Sequence, residues 1–82
     1  MTNSSKFLIE NDSEVPLSLS VEPEGVMFVL QPQKNVVVKD DYDTLPVTVR
    51  ASHDENGALV LCIWPGDGET CVEQDGKDVL TA

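Results

Sequence analysis

No stretch of this chain repeats apolar residues with the period of a helix, and turn-forming residues recur instead at intervals of roughly ten residues. Between the turns, apolar and polar residues alternate or form short runs rich in Val, Ile and Leu, which is typical of β-strands. Strands are predicted over residues 6–10, 15–22, 26–30, 35–39, 47–52, 58–64, 69–74 and 78–80. The sequence therefore predicts an all-β fold: a single domain over residues 1–82 in which an antiparallel meander of about 7–8 short strands closes as a barrel or a sandwich.

Short turn sequences predict which strands pair as hairpins. Asn-Gly at residues 56–57 and Asp-Gly at residues 75–76 are typical of tight hairpin turns. Residues 31–34 and 65–68 contain Pro, and the second also contains two Gly, so each predicts a further hairpin between its flanking strands. Pro16 has no N–H to donate to a neighbouring strand, so its strand begins there or lies at an edge of the sheet.

The charge of the chain limits its partners. The 15 Asp and Glu residues outnumber the 5 Lys and Arg residues, which gives a formal net charge of −10. Binding to nucleic acid or to an anionic membrane requires basic groups, so neither is expected. The acids are spread from Glu10 to Asp78 rather than gathered in a tail, which favours a role in solubility. The alternative is an acidic surface that mimics nucleic acid or binds a basic protein.

Apolar runs near the N-terminus are too short for targeting or membrane insertion. Phe7, Leu8 and Ile9 form the longest apolar run in the first twelve residues. A signal peptide needs about 7–15 continuous apolar residues, and a membrane helix needs about 20. The sequence therefore predicts a cytoplasmic protein with reduced thiols and no membrane partner.

The two cysteines, Cys62 and Cys71, are predicted to face each other across a hairpin. If residues 66 and 67 form a two-residue loop, the two cysteines occupy a non-hydrogen-bonded pair, where Cα atoms are about 4.5 Å apart. That spacing lies at the short end of the range for a disulfide. Two reduced side chains packed as small hydrophobic groups are the expected state, and a disulfide or a redox role is the alternative.

Residue types that carry catalysis or bind metals are sparse. His53 is the only histidine, and it stands at a strand end beside acids, where a surface position is expected. Asp40, Asp41 and Asp43 offer oxygens that suit a weak divalent site but lack the spacing of an EF-hand loop. Gly66 and Gly68 are not followed by the residues of a phosphate-binding loop. We predict no catalytic residue, no cofactor and no metal site, and hence no enzyme.

The apolar strand over residues 58–64 predicts a candidate interaction surface. Alternation places Trp64 on one face with Val60 and Cys62, and the leucines and isoleucine of the strand on the other face. The Trp64 face is either covered by a second sheet or exposed as a binding patch. Because Trp64 is the only tryptophan in the chain, we expect it in the core. Trp64 and Val60, with Pro16 at a strand edge, are the candidate interaction residues.

Two turn-rich motifs carry a resemblance to a protein family. They are Val-Glu-Pro-Glu-Gly at residues 21–25, followed by Phe28, Leu30 and Pro32, and Ile-Trp-Pro-Gly at residues 63–66, followed by Asp-Gly at residues 75–76. Over residues 15–77 the chain resembles small uncharacterised bacterial all-β proteins with a Glu-Pro…Pro-Gly and Trp-Pro-Gly pattern. Gln33 departs from that pattern, which has Gly after the proline. The resemblance implies a soluble bacterial all-β protein and no particular activity.

The sequence is compatible with three functions. We expect a non-enzymatic protein-interaction or structural module that pairs with a protein partner, or with itself as a homodimer, through a free strand edge near Pro16 or at the C-terminal strand. The first alternative is an acidic nucleic-acid mimic or basic-protein binder. The second is a small-molecule or metal-binding, cupin-like β-barrel that uses His53 and the nearby acids. The resemblance to the cupins runs over residues 26–38. The His-x-His…Glu metal-binding pattern of the cupins is absent, so none of their chemistry is implied.

Overall fold

The computed structural model describes residues 2–79, which form eight β-strands and no helix. The strands are β1 (Asn3–Glu10), β2 (Leu17–Val21), β3 (Val26–Leu30), β4 (Asn35–Tyr42), β5 (Thr48–His53), β6 (Leu59–Trp64), β7 (Glu69–Gln74) and β8 (Lys77–Asp78). The all-β class is therefore confirmed. Most strand bounds agree with the predicted ones to within two residues, but β1 and β4 are each three residues longer than predicted. The predicted position of Leu80 in the last strand lies outside the described residues.

The strands form two four-stranded sheets that enclose the core. The first sheet has the order β1-β4-β7-β8 and the second has the order β3-β2-β6-β5. All neighbouring strands are antiparallel except β2 and β6, which are parallel. Neither sheet closes on itself, so the arrangement is two packed sheets and not a barrel. The simple meander is also wrong, because several consecutive strands lie in different sheets.

Two of the four hairpins predicted from turn residues are confirmed. Residues 54–58 join β5 to β6, with the backbone N–H of Asp54 donating to the Ala58 carbonyl at 2.9 Å. Asp75 and Gly76, with φ of 54° and 80°, join β7 to β8 as a tight turn. Positive φ at both central positions is the requirement that selects Asp-Gly here.

The other two predicted hairpins are wrong, because residues 31–34 and 65–68 cross from one sheet to the other. The first crossing is held by the β1–β2 corner: the N–H of Gln33 donates to the Asn11 carbonyl at 2.8 Å. On each side of this crossing a side chain is fully buried, Leu30 in the second sheet and Val36 in the first. Two strands that cover opposite sides of one core cannot pair edge to edge.

The second crossing is fastened to the connection between β4 and β5. The Asp67 carboxylate accepts hydrogen bonds from the three consecutive N–H groups of residues 43–45 at 2.8–2.9 Å. The N–H of Asp67 donates in return to the Leu45 carbonyl at 3.0 Å. A Cβ at Gly66 would overlap the Leu45 carbonyl oxygen, so only glycine permits this close approach. These contacts explain why Gly-Asp-Gly forms a clamp instead of a hairpin turn.

Aliphatic side chains from both sheets form the core. Its buried members are Ile9, Leu19, Val21, Leu30, Val36, Val38, Ile63 and Val72. One charged side chain shares the interior: Asp40, only 1% exposed, lies on the inner face of β4. Its two oxygens accept from the Val47 N–H at 2.8 Å and from the Thr70 hydroxyl at 3.0 Å. Asp40 thus ties the start of the β5 segment to the first sheet.

Candidate interaction surface

The second sheet turns one face to the core and the other to solvent. Leu19, Leu30 and Ile63 are fully buried, so the residues that alternate with them along β2, β3 and β6 point outward. Residues directly opposite each other on neighbouring strands share a face, which extends the assignment to β5. The outer face of the second sheet consists of Met27, Val29, Ser18, Ser20, Val60, Cys62, Trp64, Thr48, Arg50 and Ser52.

The composition of this face differs from that of the chain as a whole. Within its four strands it holds no acid and a single charged residue, Arg50, although the chain has 15 Asp and Glu residues. The adjacent acid is Glu22 at the rim, whose carboxylate accepts the Ser20 hydroxyl at 2.7 Å. Depletion of charge together with Trp, Met and Arg is the composition that marks the centre of a protein interface.

The exposed apolar side chains of this face form a ridge on β3 and a separate protrusion at Trp64 on β6. Met27 and Val29 on β3 are 58% and 48% exposed, and Trp64 is 37% exposed, whereas Val60 of β6 is only 8% exposed. Ser20 lies between Met27 and Cys62 in the register of the three strands, and Ser18 occupies the equivalent position in the next row. Because neighbouring strands are about 4.8 Å apart, β3 and β6 stand roughly 10 Å apart, with the short serine side chains between them.

Arg50 and Trp64 interact across the β5–β6 pair. The Arg50 guanidinium carbon lies 5.7 Å from the centre of the Trp64 ring, which is within the range of a cation–π interaction. The two residues are diagonal neighbours, since Arg50 is opposite Cys62 and Thr48 is opposite Trp64. The stacking restricts the orientation of the exposed tryptophan ring.

A groove of about 530 Å³ lies at the end of the second sheet where β2 and β6 begin. Its apolar walls include Val15, Leu17 and Leu59, and Ser18 of the outer face also lines it. Asn11 lines it as well, but the Asn11 amide nitrogen already donates to two carbonyls, those of Val15 at 2.8 Å and Leu30 at 2.9 Å. Because Leu17 and Leu59 belong to the inner face of the sheet, the groove lies at the end of the core and is separate from the outer face.

The predicted interaction residues lie at or beside this surface. Alternation correctly placed Trp64 and Val60 on one face, with Val60 itself only 8% exposed. The expected burial of Trp64 is wrong, because among the described residues no second layer covers this face. Pro16 immediately precedes β2, which is an interior strand of its sheet. Of the two positions predicted for Pro16, the start of the strand is therefore correct and the edge of the sheet is wrong.

The predicted juxtaposition of Cys62 and Cys71 is wrong. Cys62 lies on the outer face of the second sheet, whereas Cys71 belongs to β7 of the first sheet, opposite Lys39. Both thiols are free. Residues 65–68 separate them because this segment crosses between the sheets. The register that brought the cysteines together required a two-residue hairpin loop.

Cys71 is not set up as a nucleophile. Its sulfur lies 3.6 Å from a Glu73 carboxylate oxygen and 3.5 Å from one of Asp78. Burial raises the pKa of the Cys71 thiol to about 11, with a further contribution from the two carboxylates. The thiol therefore stays protonated at neutral pH, and a protonated thiol is a poor nucleophile and a poor metal ligand.

The other residues considered for chemistry do not converge. His53 is exposed at the end of β5 in the second sheet, while Asp41 and Asp43 belong to the first sheet and the connection after it. Asp40 points inward and Asp41 outward, because they are neighbours on one strand. Within residues 2–79 no group of three or more His, Cys, Asp or Glu side chains is arranged to hold a metal ion.

Sequence reasoning missed the part of this surface that belongs to β3 and β5. The continuous apolar run over residues 26–30 is typical of a strand covered on both faces for part of its length, yet Met27 and Val29 are among the most exposed apolar residues of the described chain. An uninterrupted apolar run does not reveal which face is covered. The available signal was the neighbouring strand, where Ser18 and Ser20 alternate with buried residues and thereby mark an uncovered face.

No protein-family model, curated protein or solved structure matches this chain significantly. The resemblances to small bacterial proteins and to cupins therefore stay predictions. Residues 2–79 contain no helix of the length and apolarity that crossing a membrane requires.

Proposed function

We propose that this protein is a non-enzymatic protein-interaction module whose binding surface is the outer face of the second sheet. The observation that carries the proposal is the absence of acids from this face in a chain of net charge −10, combined with exposed Met27, Val29 and Trp64. A solvent-facing sheet surface normally alternates to polar residues, and contiguous exposed apolar surface marks an interaction site.

The chemistry of the face indicates the chemistry of its partner. Trp64, stacked with Arg50, supplies a large and pre-oriented apolar anchor of the kind that dominates interface energetics. Complete burial of a Met or Val side chain contributes roughly 1.5–3 kcal/mol, and about half of each such side chain is available on β3. Arg50 is the one charge to be satisfied. We therefore propose a partner with an apolar surface and a carboxylate opposite Arg50.

We also propose a cytoplasmic location. The two cysteines lie in different sheets and are both free, which supports a compartment where thiols stay reduced.

Site-specific photo-crosslinking in the native host tests the proposal. A benzophenone amino acid replaces Thr48, an exposed residue directly opposite Trp64 on the outer face of the second sheet, so that Trp64 itself is kept. As the matched control it replaces Leu8 on the outer face of the first sheet, which is 54% exposed. The expected result is a discrete adduct from position 48 and none from position 8. An adduct from position 8 alone would favour a basic partner on the acidic surface instead, and no adduct from position 48 would refute the proposal.

A further inference from the structure

The free edge formed by β3 has no protection against pairing with another chain. Its residues, Val26–Leu30, include no charged residue and no proline. The other edge strands of the two sheets all carry charge: Lys6 and Glu10 in β1, Arg50 in β5, Lys77 and Asp78 in β8. Proteins ordinarily protect exposed sheet edges with such charges, because an apolar edge is a template for strand addition.

The backbone groups that β3 offers at this edge follow from the hydrogen bonding of β2. The N–H of Glu22 donates to the Ile63 carbonyl of β6 at 2.9 Å, so even-numbered residues of this segment direct their backbone groups to β6. Odd-numbered residues of β2 therefore bond to β3, and Leu19 is paired with Phe28. It follows that the backbone N–H and carbonyl groups of Val26, Phe28 and Leu30 bond to β2.

Met27 and Val29 consequently direct their N–H and carbonyl groups away from the sheet. Among the described residues, no loop or side chain donates to or accepts from these groups. Each copy of the chain thus presents two donors and two acceptors with the spacing of an antiparallel strand.

We propose that β3 pairs with β3 of a second copy of this chain, antiparallel about a two-fold axis, so that two second sheets become one continuous sheet. Phe28 of one copy lies opposite Phe28 of the other as a non-hydrogen-bonded pair. Met27 of each copy lies opposite Val29 of the other, and each such pair exchanges two backbone hydrogen bonds. Only this register uses all the free groups of both strands, and a closed two-fold dimer is the commonest symmetric assembly.

Side chains support the same arrangement. Met27 and Val29 are 58% and 48% exposed on the outer face, so pairing joins the β3 ridges of two copies into one apolar ridge at the centre of the new sheet. The dimer then presents two outer faces side by side. This extends the proposed function, because one assembly carries two copies of the binding surface.

The distribution of charge favours a second copy of this chain as the strand that pairs with β3. Two chains of net charge −10 repel each other, and β3 is the edge where they meet without charged residues in the strands. In the antiparallel arrangement the turn that carries Glu24 lies beside the end of the other β3, which leads to Lys34. Glu24 of one copy therefore approaches Lys34 of the second copy, and it does not approach Glu24 of the second copy.

Light scattering after size exclusion tests the proposal with two variants of the β3 edge. Val29→Pro deletes an outward N–H without touching a bond to β2, and Met27→Lys adds the charge that natural edges carry. Val49→Pro is the matched control, because Val49 directs its N–H to the free edge of β5 in the same way. Circular dichroism confirms that each variant is folded.

The wild-type protein is expected at twice 8.9 kDa at about 100 μM. Val29→Pro and Met27→Lys are expected at the monomer mass, with the dissociation constant raised at least about tenfold, and Val49→Pro is expected to remain dimeric. If Val29→Pro fails to fold, Met27→Lys decides.

A wild-type monomer at concentrations up to about 1 mM, or a dimer that Met27→Lys leaves intact, would overturn the proposal. Such a failure is distinct from failure of the proposed function. A photo-adduct from position 48 with a protein of another mass would leave the outer face as a binding surface even if β3 does not pair.

Discussion

The outer faces of the two sheets contrast sharply in charge. The first sheet presents Lys6, Glu10, Lys39, Asp41, Glu69, Glu73 and Asp78 to solvent, whereas the second presents Arg50 alone. Both sheets bury the same kind of inner face, with valine, leucine and isoleucine against one core. Packing of the core therefore does not account for the difference in charge between the two outer faces.

The arrangement of charge on the first sheet supports this conclusion. Lys39 forms an ion pair with Glu73 at 3.0 Å, but Asp41 stands directly opposite Glu69, and Lys6 directly opposite Lys39. Like charges in directly opposite positions destabilise a sheet. The first outer face thus carries like-charge pairs that lower stability, whereas the second outer face carries no acid within its four strands.

Reversing the charge of the second outer face gives the largest expected effect. Arg50→Glu places an acid opposite the carboxylate proposed for the partner, and juxtaposed like charges in an interface cost several kcal/mol. We expect the yield of the position-48 photo-adduct to fall at least about tenfold. Lys39→Glu makes the matched change on the first outer face and should leave the yield within about twofold of the wild type. Equal losses in the two variants would contradict the assignment of the binding face.

Asp40 and Asp41 lie on opposite faces of β4, so their substitution separates the contribution of the inner face to stability from that of the outer face. Asp40→Ala leaves the buried Val47 N–H and Thr70 hydroxyl without their acceptor, which should lower the free energy of unfolding by about 1–3 kcal/mol. Asp41→Ala removes an outward acid that faces Glu69 and should change stability little. Chemical denaturation of the two variants measures both effects. A loss for Asp41→Ala as large as that for Asp40→Ala would show that the outer face contributes to the fold.

Acid should destabilise the protein through the first sheet and its connections. Backbone N–H groups of Leu45, Thr44 and Asp43 hold the pKa of Asp67 below its ordinary value, and Lys39 lowers the pKa of Glu73. For a lowered pKa, the stabilisation is complete above the unfolded value of about 4 and is lost as the pH falls below it.

Melting temperatures between about pH 7 and pH 2 measure this effect. The melting temperature is expected to fall below about pH 4, and Asp67→Asn should lower it at pH 7 and flatten the acid branch. If the melting temperature of Asp67→Asn falls with decreasing pH as steeply as that of the wild type, the hydrogen bonds from residues 43–45 to the Asp67 carboxylate do not have the proposed role in stability.

The smallest expected effect concerns the contact between Arg50 and Trp64. Arg50→Ala removes the cation–π interaction and should lower the free energy of unfolding by about 0.5–1 kcal/mol. Because Trp64 is the only tryptophan, its fluorescence reports this contact directly, and the emission should change in Arg50→Ala but not in Lys39→Ala. Identical spectra for Arg50→Ala and the wild type would show that the stacking is absent in solution.

Local patterns in the sequence predicted the local structure well. Alternation and turn residues placed all eight strands, and the Asn-Gly and Asp-Gly pairs located two hairpins, because these signals depend on a few adjacent residues. The grouping of Trp64 with Val60 on one face followed from the same alternation.

The pairing of strands and the exposure of the outer face could not be predicted in the same way. Residues 65–68 have the composition of a hairpin turn, and only the presence of residues 43–45, folded against Asp67, makes them a crossing between sheets. The parallel pairing of β2 with β6 likewise depends on how the core closes. Trp64 is exposed because no other part of the described chain packs over it, and a local sequence pattern does not show which distant segments pack against a strand.

In-cell hydroxyl-radical footprinting tests whether the outer face of the second sheet binds a partner, because it compares the two outer faces in one molecule. Oxidation of Trp64 and of Leu8 is measured in the native host and in the dilute purified protein. If the outer face of the second sheet is the binding surface, oxidation of Trp64 falls several-fold in the cell while that of Leu8 does not change. Equal oxidation of Trp64 in the cell and in the purified protein would contradict the claim.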